Sequence, residues 1–416
     1  MASDRRLGLF EGFGVELEYM VVDRDSLAVR PIVDELIERV TGDITSDVER
    51  GDLEWSNELV SHVLELKTAG PAPTLDGLAA RFHAEVQAID GFLEPLGARL
   101  LGGGAHPFMD PARETRLWPH DYNEVYALYD RVFGCSGHGW SNLQSAHLNL
   151  PFRDDEEFGR LHAAVRVVLP LLPGLAASTP ILDGRDQGLK DARLDAYRRN
   201  QARVPSLAGA IIPERVFTQR DYERVVFDPI VRDMRPHDRE GVLDRHFLNS
   251  RGAIARFDRG SIEIRLLDLQ ECPSADLAIL TLVVGVVRAL VEGRWVGDAH
   301  LRELDEHRLA AVLDRAIAEG EDALVQDTAL LHVLGWRRGD VRLGRLWGHL
   351  ADACADALGG ATGEVVERLL AAGTLSTRIL RALGEDWDRA ALRTIYHHLA
   401  NALLEDRLFL PDGTDD

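Results

Sequence analysis

Glu16 and Glu18 stand two residues apart in a stretch where Val15, Leu17, Tyr19 and Val21 alternate with Gly14, Glu16, Glu18 and Met20. Read as a strand, the pattern puts an apolar set on one face and both carboxylates on the other. Aligned carboxylates repel each other unless a cation sits between them, and hard divalent ions such as Mg2+ take oxygen ligands of this kind. A plain solvated face is the alternative, so the pair gains meaning only with company. Ser261, Glu263 and Arg265 repeat the pattern, with Ile262, Ile264 and Leu266 opposite. Glu263 beside Arg265 is either a structural ion pair or a metal ligand next to a planar donor fork suited to phosphate oxygens. In Ser141 to Leu150, Ser145, His147 and Asn149 share a face. His147 therefore points where the acids should point, unless it is a hydrogen-bonded core histidine. Gln144 falls on the apolar side in this phase and reaches the acids only if a bulge precedes His147.

The stretch Asp52 to Thr68 adds Glu54, Glu58, His62 and Glu65. Glu54 and Glu58 are an even offset apart, but Trp55-Ser-Asn57 between them reads as a turn, which favours Glu58 as the ligand. Glu65 is an odd offset from Glu58. It joins the same face only through a bulge or bend near Ser61-His62; otherwise it is a structural partner for Lys67 or an arginine.

Several elements must position these groups. Helical periodicity runs from Pro31 to Val40, from Thr74 to Leu93, from Asp121 to Phe133 and from Glu156 to Ala177. A strand from Leu100 runs into Gly102-Gly-Gly104, a bend just before His106 whose glycines let backbone approach a ligand closely. Asp183 to Pro236 has few clear periods and many charges and reads as an excursion or lid, in which Arg193, Arg198 and Arg199 are either carboxylate or phosphate contacts or, for most of them, a solvated helix face. Ala253 to Phe257 and Ser261 to Gln270 flank a hairpin turn at Arg259-Gly260. From Pro273 onward the pattern is helical throughout. Strands separated by long helices suggest a doubly wound parallel fold, but these strands alternate polar and apolar. That suits a sheet with one face on helices and the other on a cavity.

A net charge of -22 argues against a nucleic-acid partner. The three cysteines, Cys135, Cys272 and Cys354, lack zinc or disulfide spacing, so a reducing cytoplasm is the expected setting. Glu11, Glu16 and Glu18 interrupt what would be the core of a signal peptide. The longest apolar run, Leu277 to Val291, is broken by Arg288 and reads as a buried helix too short to span a bilayer, so no membrane partner is expected. The apolar helical tail offers a surface for a homo-oligomer.

Taken together, Phe13-Gly-Val-Glu-Leu-Glu-Tyr19, Asn57 to Glu65, Gly102-Gly-Gly-Ala-His-Pro-Phe108, Gln144-Ser-Ala-His147 and Gly260 to Asp268 resemble the carboxylate-amine ligase branch of the glutamate-cysteine ligase family. The resemblance implies an α+β fold similar to the catalytic domain of glutamine synthetase. Its curved, mainly antiparallel sheet carries helices on the convex face and holds ATP with two or three Mg2+ ions on the concave face. By that likeness Glu16, Glu18, Glu58, Glu65, Glu263 and His147 match metal-binding positions and Arg265 a phosphate-facing arginine. Glu54 matches less closely, and Gln144 and His106 fall in motifs that line the nucleotide and substrate site. The expected reaction is ATP-dependent ligation of an amino-acid carboxylate, with the glutamate γ-carboxylate a candidate, to an amine through an acyl phosphate. The rivals are a metal-dependent amide hydrolase, a guanidino or amine phosphotransferase on the same sheet, and a binding protein that has lost catalysis. Residues 1–295 are expected to form the catalytic domain and residues 296–416 a helical C-terminal region. Two departures bear on the substrate site: Ala105 stands where a hydroxyl residue is common, and His147 is followed by Leu-Asn-Leu rather than Val-Gly.

Overall fold

In the computed structural model, which describes residues 6–411, the alternating runs assemble into one 8-stranded sheet. Its strands are β1 (Gly14–Asp23), β2 (Asp47–Arg50), β3 (Leu53–Asn57), β4 (Val63–Thr68), β5 (Ala98–Leu101), β6 (Ser145–Pro151), β7 (Ala253–Arg256) and β8 (Ser261–Asp268). The spatial order is β2-β3-β4-β1-β6-β8-β7, and β5 pairs with the far end of β1. Every ladder of this sheet is antiparallel, which excludes the doubly wound parallel arrangement.

One face of the sheet makes the core. Val15, Leu17, Tyr19, Val21, Trp55, Leu64, Leu66, Leu148, Leu150, Ile262 and Ile264 are buried in a single cluster. Each such side chain contributes roughly 1.5–3 kcal/mol by leaving water. The helices Leu78–Leu93, Asp155–Val168 and Pro273–Val291 belong to the same cluster, and the last packs on each of the other two. Asp154 caps the second of these, accepting from the N–H groups of Glu156 and Glu157. That helix stops at Val168 rather than running on to Ala177, and its continuation breaks into the short turns Leu169–Leu171 and Pro173–Ala176. Pro170 and Pro173 lack the N–H a regular helix needs. Pro273–Val291 is 19 residues long with mean hydropathy 2.0, so by length and composition it could cross a membrane, contrary to the expectation from sequence. Here 83% of that stretch is buried inside the protein.

The opposite face of β1 is divided. Glu16 and Glu18 occupy one end, while Met20 and Val22 join a second apolar cluster with Leu375, Ile379, Tyr396 and Leu399. The C-terminal helices therefore cover the site-bearing face just beyond the acids. Two polar anchors fix this segment. Arg378 and Glu271, both with side chains 0% exposed, form a buried ion pair, and Arg378 also donates to Phe409 O at 2.9 Å. Asp406 accepts from the Ser274 N–H at 2.9 Å and its hydroxyl at 2.7 Å, at the start of the helix Pro273–Val291. A two-strand ladder, Leu324–Val325 with Val341–Arg342, interrupts the all-helical reading of this region.

Candidate active site

Cross-strand register gathers the acids. Glu16 lies opposite His147 across β1 and β6, and Glu18 lies opposite Glu65 across β1 and β4. The Glu16 carboxylate contacts His147 Nδ1 at 2.8 Å and accepts from Asn149 Nδ2 at 2.9 Å. Glu18 accepts from the Ser145 N–H at 2.6 Å and its hydroxyl at 2.9 Å. Glu65 accepts from Ser56 Oγ at 2.9 Å. On β8, Glu263 faces Asn149 and accepts from Arg265, while Arg256 Nη1 stands 3.7 Å away.

Donor atoms fall into two sets, Glu16 with His147 and Glu263, and Glu18 with Glu65 and His147; within each set they lie within 4.8 Å of one another. Carboxylate oxygens at this spacing fit a hard divalent cation. His147 belongs to both sets and its ring can serve only one ion through each nitrogen.

The protonation pattern points the same way. Burial works against charge on Glu16, yet the hydrogen bond with His147 and the charges of His147, Arg265 and Lys67 bring its pKa down to about 2. Burial likewise works against charge on His147, but Glu16 and Glu18 raise it to about 9, leaving an imidazolium among the acids at neutral pH. Glu65 is pushed up to about 7 by burial and by the charge of Glu16. Glu58 is pushed well above the carboxylate range by burial, with the charges of Glu65 and Glu18 adding to it. The basin thus holds more carboxylates than its own cations neutralise, the condition a divalent ion relieves.

The structure revises several expectations. Trp55-Ser-Asn57 is part of β3 rather than a turn, and Glu58 follows it in the connection to β4. Glu65 reaches the acid face without a bulge, because it lies on the next strand of a hairpin and pairs with Ser56. Glu54 is held by Lys67 at 3.1 Å, and Lys67 also reaches Asp47 and Ser56, so this lysine is the local counter-charge for the β3–β4 acids.

The irregularity sought before His147 lies on the partner strand instead. Ile264 pairs with Leu148 and Leu267 with Ala146, so Arg265 and Leu266 together stand opposite His147. This extra residue turns Asp268, an odd offset from Glu263, onto the acid face. Gln144 precedes β6; its backbone is bonded to Gly104 and Leu269, and its amide nitrogen is buried without a partner among the described residues. His106 has no free ring nitrogen for a nucleotide or substrate, since Nε2 contacts Leu27 O at 2.7 Å and Nδ1 accepts from the Phe108 N–H at 3.1 Å.

The glycine bend serves the protein's own packing: a Cβ at Gly102 would lie 2.8 Å from the backbone oxygen of Gln270 and one at Gly104 2.7 Å from Cγ of the Asp268 side chain. Arg198 and Arg199 are both tied to Asp195 at 2.6 Å, whereas Arg193 is buried against Asp268. Spacing alone makes Ser145 and Asn149 mere face-mates and does not single out Lys67 as a site cation, Arg256 or Asp268. Even offsets from Glu65 and His147 were the available signal for Lys67, Ser145 and Asn149.

Comparison with known proteins is consistent with this geometry. A protein of Archaeoglobus fulgidus without an assigned activity is 35% identical over 281 residues, covering 67% of this chain and 74% of the relative. A Rubrobacter xylanophilus protein provisionally named glutamate–cysteine ligase 2-3 is 26% identical over 242 residues, covering 56% of this chain and 61% of its own length. The crystal structure of glutamate–cysteine ligase from Francisella tularensis in complex with AMP superposes with a TM-score of 0.57 over 96% of this chain and 90% of that one; at 13% identity the likeness is one of fold. The match to glutamate-cysteine ligase family 2 (GCS2) runs from residue 12 to residue 398, and the chain belongs to that family.

Proposed function

We propose that the protein is an ATP- and Mg2+-dependent ligase that joins an amino-acid carboxylate, with the glutamate γ-carboxylate the first candidate, to an amine through an acyl phosphate. The observation that carries this reading is the convergence of Glu16, Glu18, Glu65, Glu263 and His147 into two donor sets beside Arg265. Family membership and the AMP held by the Francisella tularensis neighbour support the nucleotide. On this reading the sheet is the glutamine synthetase-like cradle implied by the motifs; residues 1–295 carry the chemistry and residues 296–416 brace it.

Glu16 and Glu263, with His147 once the incoming ion displaces its proton, would hold one Mg2+, and Glu18 and Glu65, with Glu58 close by, a second. Bound there, the ions supply neutralisation of the triphosphate charge. The chain's own residues supply orientation. Arg265 presents a two-pronged donor to the oxygens of the γ-phosphoryl group, and Glu263 fixes the plane of that fork. Lys67 keeps Glu54 and Glu65 from repelling an anionic substrate. A substrate carboxylate oxygen forms a bond to the γ-phosphorus as the bond to ADP breaks. The amine nitrogen then attacks the acyl carbon, phosphate leaves, and the nitrogen gives up its proton. All three cysteines are free and buried, and none is required as a nucleophile.

Hydroxylamine trapping tests the proposal. With Mg-ATP and a carboxylate panel led by glutamate, ADP and phosphate should form and hydroxylamine should yield a hydroxamate. AMP release, or amide hydrolysis without ATP, would overturn the class. A stable phosphorylated amine or guanidine without amide would mark a phosphotransferase.

A further inference from the structure

The bulge in β8 is gripped from a single short helix. Ala192–Tyr197 is capped by Asp191, whose carboxylate accepts from the Leu194 N–H at 2.8 Å. Arg193, only 2% exposed, donates from Nη2 to Leu266 O at 2.8 Å and from Nε to Asp268. Asp268 is itself fixed by the Ser178 N–H at 2.8 Å and the Thr179 hydroxyl at 3.0 Å. One turn further along the same helix, Tyr197 donates its hydroxyl to Ser250 O at 3.0 Å, which leaves the oxygen's lone pairs to meet the Arg265 guanidinium. The backbone of Arg265 is held separately, its N–H donating to Gly252 O at 3.1 Å. Residues four apart on a helix share a face, so one rigid element reaches both the carbonyl after Arg265 and the side chain of Arg265.

We propose that Arg193 and Tyr197 are positioning residues for Arg265, splinting the irregular stretch of β8 so that the guanidinium fork keeps one orientation. A bulged pair lacks regular ladder bonds, and a fork that must meet a transferring phosphoryl group in a fixed plane loses rate when it rotates. Full burial of an arginine–aspartate pair is costly, and apolar residues of similar size would stabilise the spot as well. What apolar residues would not do is bond the Leu266 carbonyl. The catalytic consequence rests on the ligase reading; the orienting contact does not.

The test is a cycle of Tyr197→Phe and Arg265→Lys. Tyr197→Phe should lower kcat for ADP formation about tenfold with KM for ATP within about twofold, and should cost almost nothing further in the Arg265→Lys background, because both act through one guanidinium. Equal losses in the two backgrounds would overturn the proposal. Nitrogen NMR reads the same claim without turnover: the Arg265 Nη signals, assigned by their loss in Arg265→Lys, should exchange slowly in the parent and measurably faster in Tyr197→Phe, where Glu263 alone holds the fork. Rotation unchanged by Tyr197→Phe would also overturn it. Absence of ATP-dependent product in the parent would instead defeat the ligase reading, leaving the NMR arm to judge the splint.

Discussion

Glu16 on β1 and His147 on β6 face each other across the centre of the sheet with Oε2 and Nδ1 2.8 Å apart, so each fixes the charge of the other. Glu16→Gln keeps the shape and removes the charge. It should lower ATP turnover and Mg2+ affinity by about 100-fold or more while unfolding stays cooperative, and Glu18→Gln should do the same. Calorimetric Mg2+ titration beside an ADP assay checks this; parent-like values in both variants would sink the metal assignment.

Glu58 carries the opposite expectation for stability. Burial and the charges of Glu65 and Glu18 favour the neutral form of its carboxyl, so Glu58→Gln should leave the metal-free protein as stable as the parent or about 1 kcal/mol more stable. The rise in Tm that Mg2+ gives the parent should shrink in this variant. Melts in chelator and in excess Mg2+ separate the two effects, and a full Mg2+ response would remove Glu58 from the ligand set.

For Arg265, the expectation is a rate effect. Arg265→Lys retains charge but loses the fork, so kcat should fall by about 100-fold while nucleotide affinity changes much less. A loss confined to binding would make Arg265 a ground-state contact or a structural partner of Glu263.

The acid face was legible because strand period is two: Glu16 with Glu18, Glu263 with Arg265, and Ser145 with His147 and Asn149 all landed as their spacing required. What spacing within one segment could not give was the relation between segments. Glu58 and Glu65 belong to the turn and second strand of a hairpin, and counting along the chain as if it were one strand invented a bulge that the hairpin makes unnecessary. The real bulge, at Arg265-Leu266, leaves Ile262, Ile264 and Leu266 in an apparently regular pattern, and only pairing with Ala146 and Leu148 exposes it. His106 sits in a motif that reads as ligand-binding, yet both its ring nitrogens are committed to backbone groups too distant in sequence or too local for periodicity to register.

Acid sensitivity should come from buried histidines. Burial holds His62 and His106 at about 4, against an ordinary 6.5, and each is neutral when folded. The unfolded chain takes up these protons first, so the stability their neutral forms contribute is fully present above 6.5 and is lost as pH falls through 4. His62→Gln, whose amide can still reach Ser141 O, should flatten the fall by an amount on the order of 3 kcal/mol. Urea titrations at several pH values across that window read the slope directly; an unchanged slope would exclude His62 as a contributor.

At the far end of the chain, Arg378→Ala would leave the Glu271 carboxylate buried beside Phe409 without its cation. The expected loss is about 3–5 kcal/mol in urea unfolding, and Arg378→Ala with Glu271→Ala together should cost less than the sum of the two.

The anchors at Glu271 and Ser274 also set an order of events during synthesis. β1 emerges before the other strands of the sheet, yet it has no partner at β6 until residue 151 is made, and Glu263 joins the site only when β8 follows. Even then Met20 and Val22 lack part of their cover, because the helices that complete it and the Asp406 contact to Ser274 are made after every strand of the sheet. Until residues 375–399 have been made, the nascent chain therefore carries the whole set of acids on a sheet whose neighbouring apolar strip lacks this cover, and that strip, rather than the acids, is what a chaperone would meet during translation.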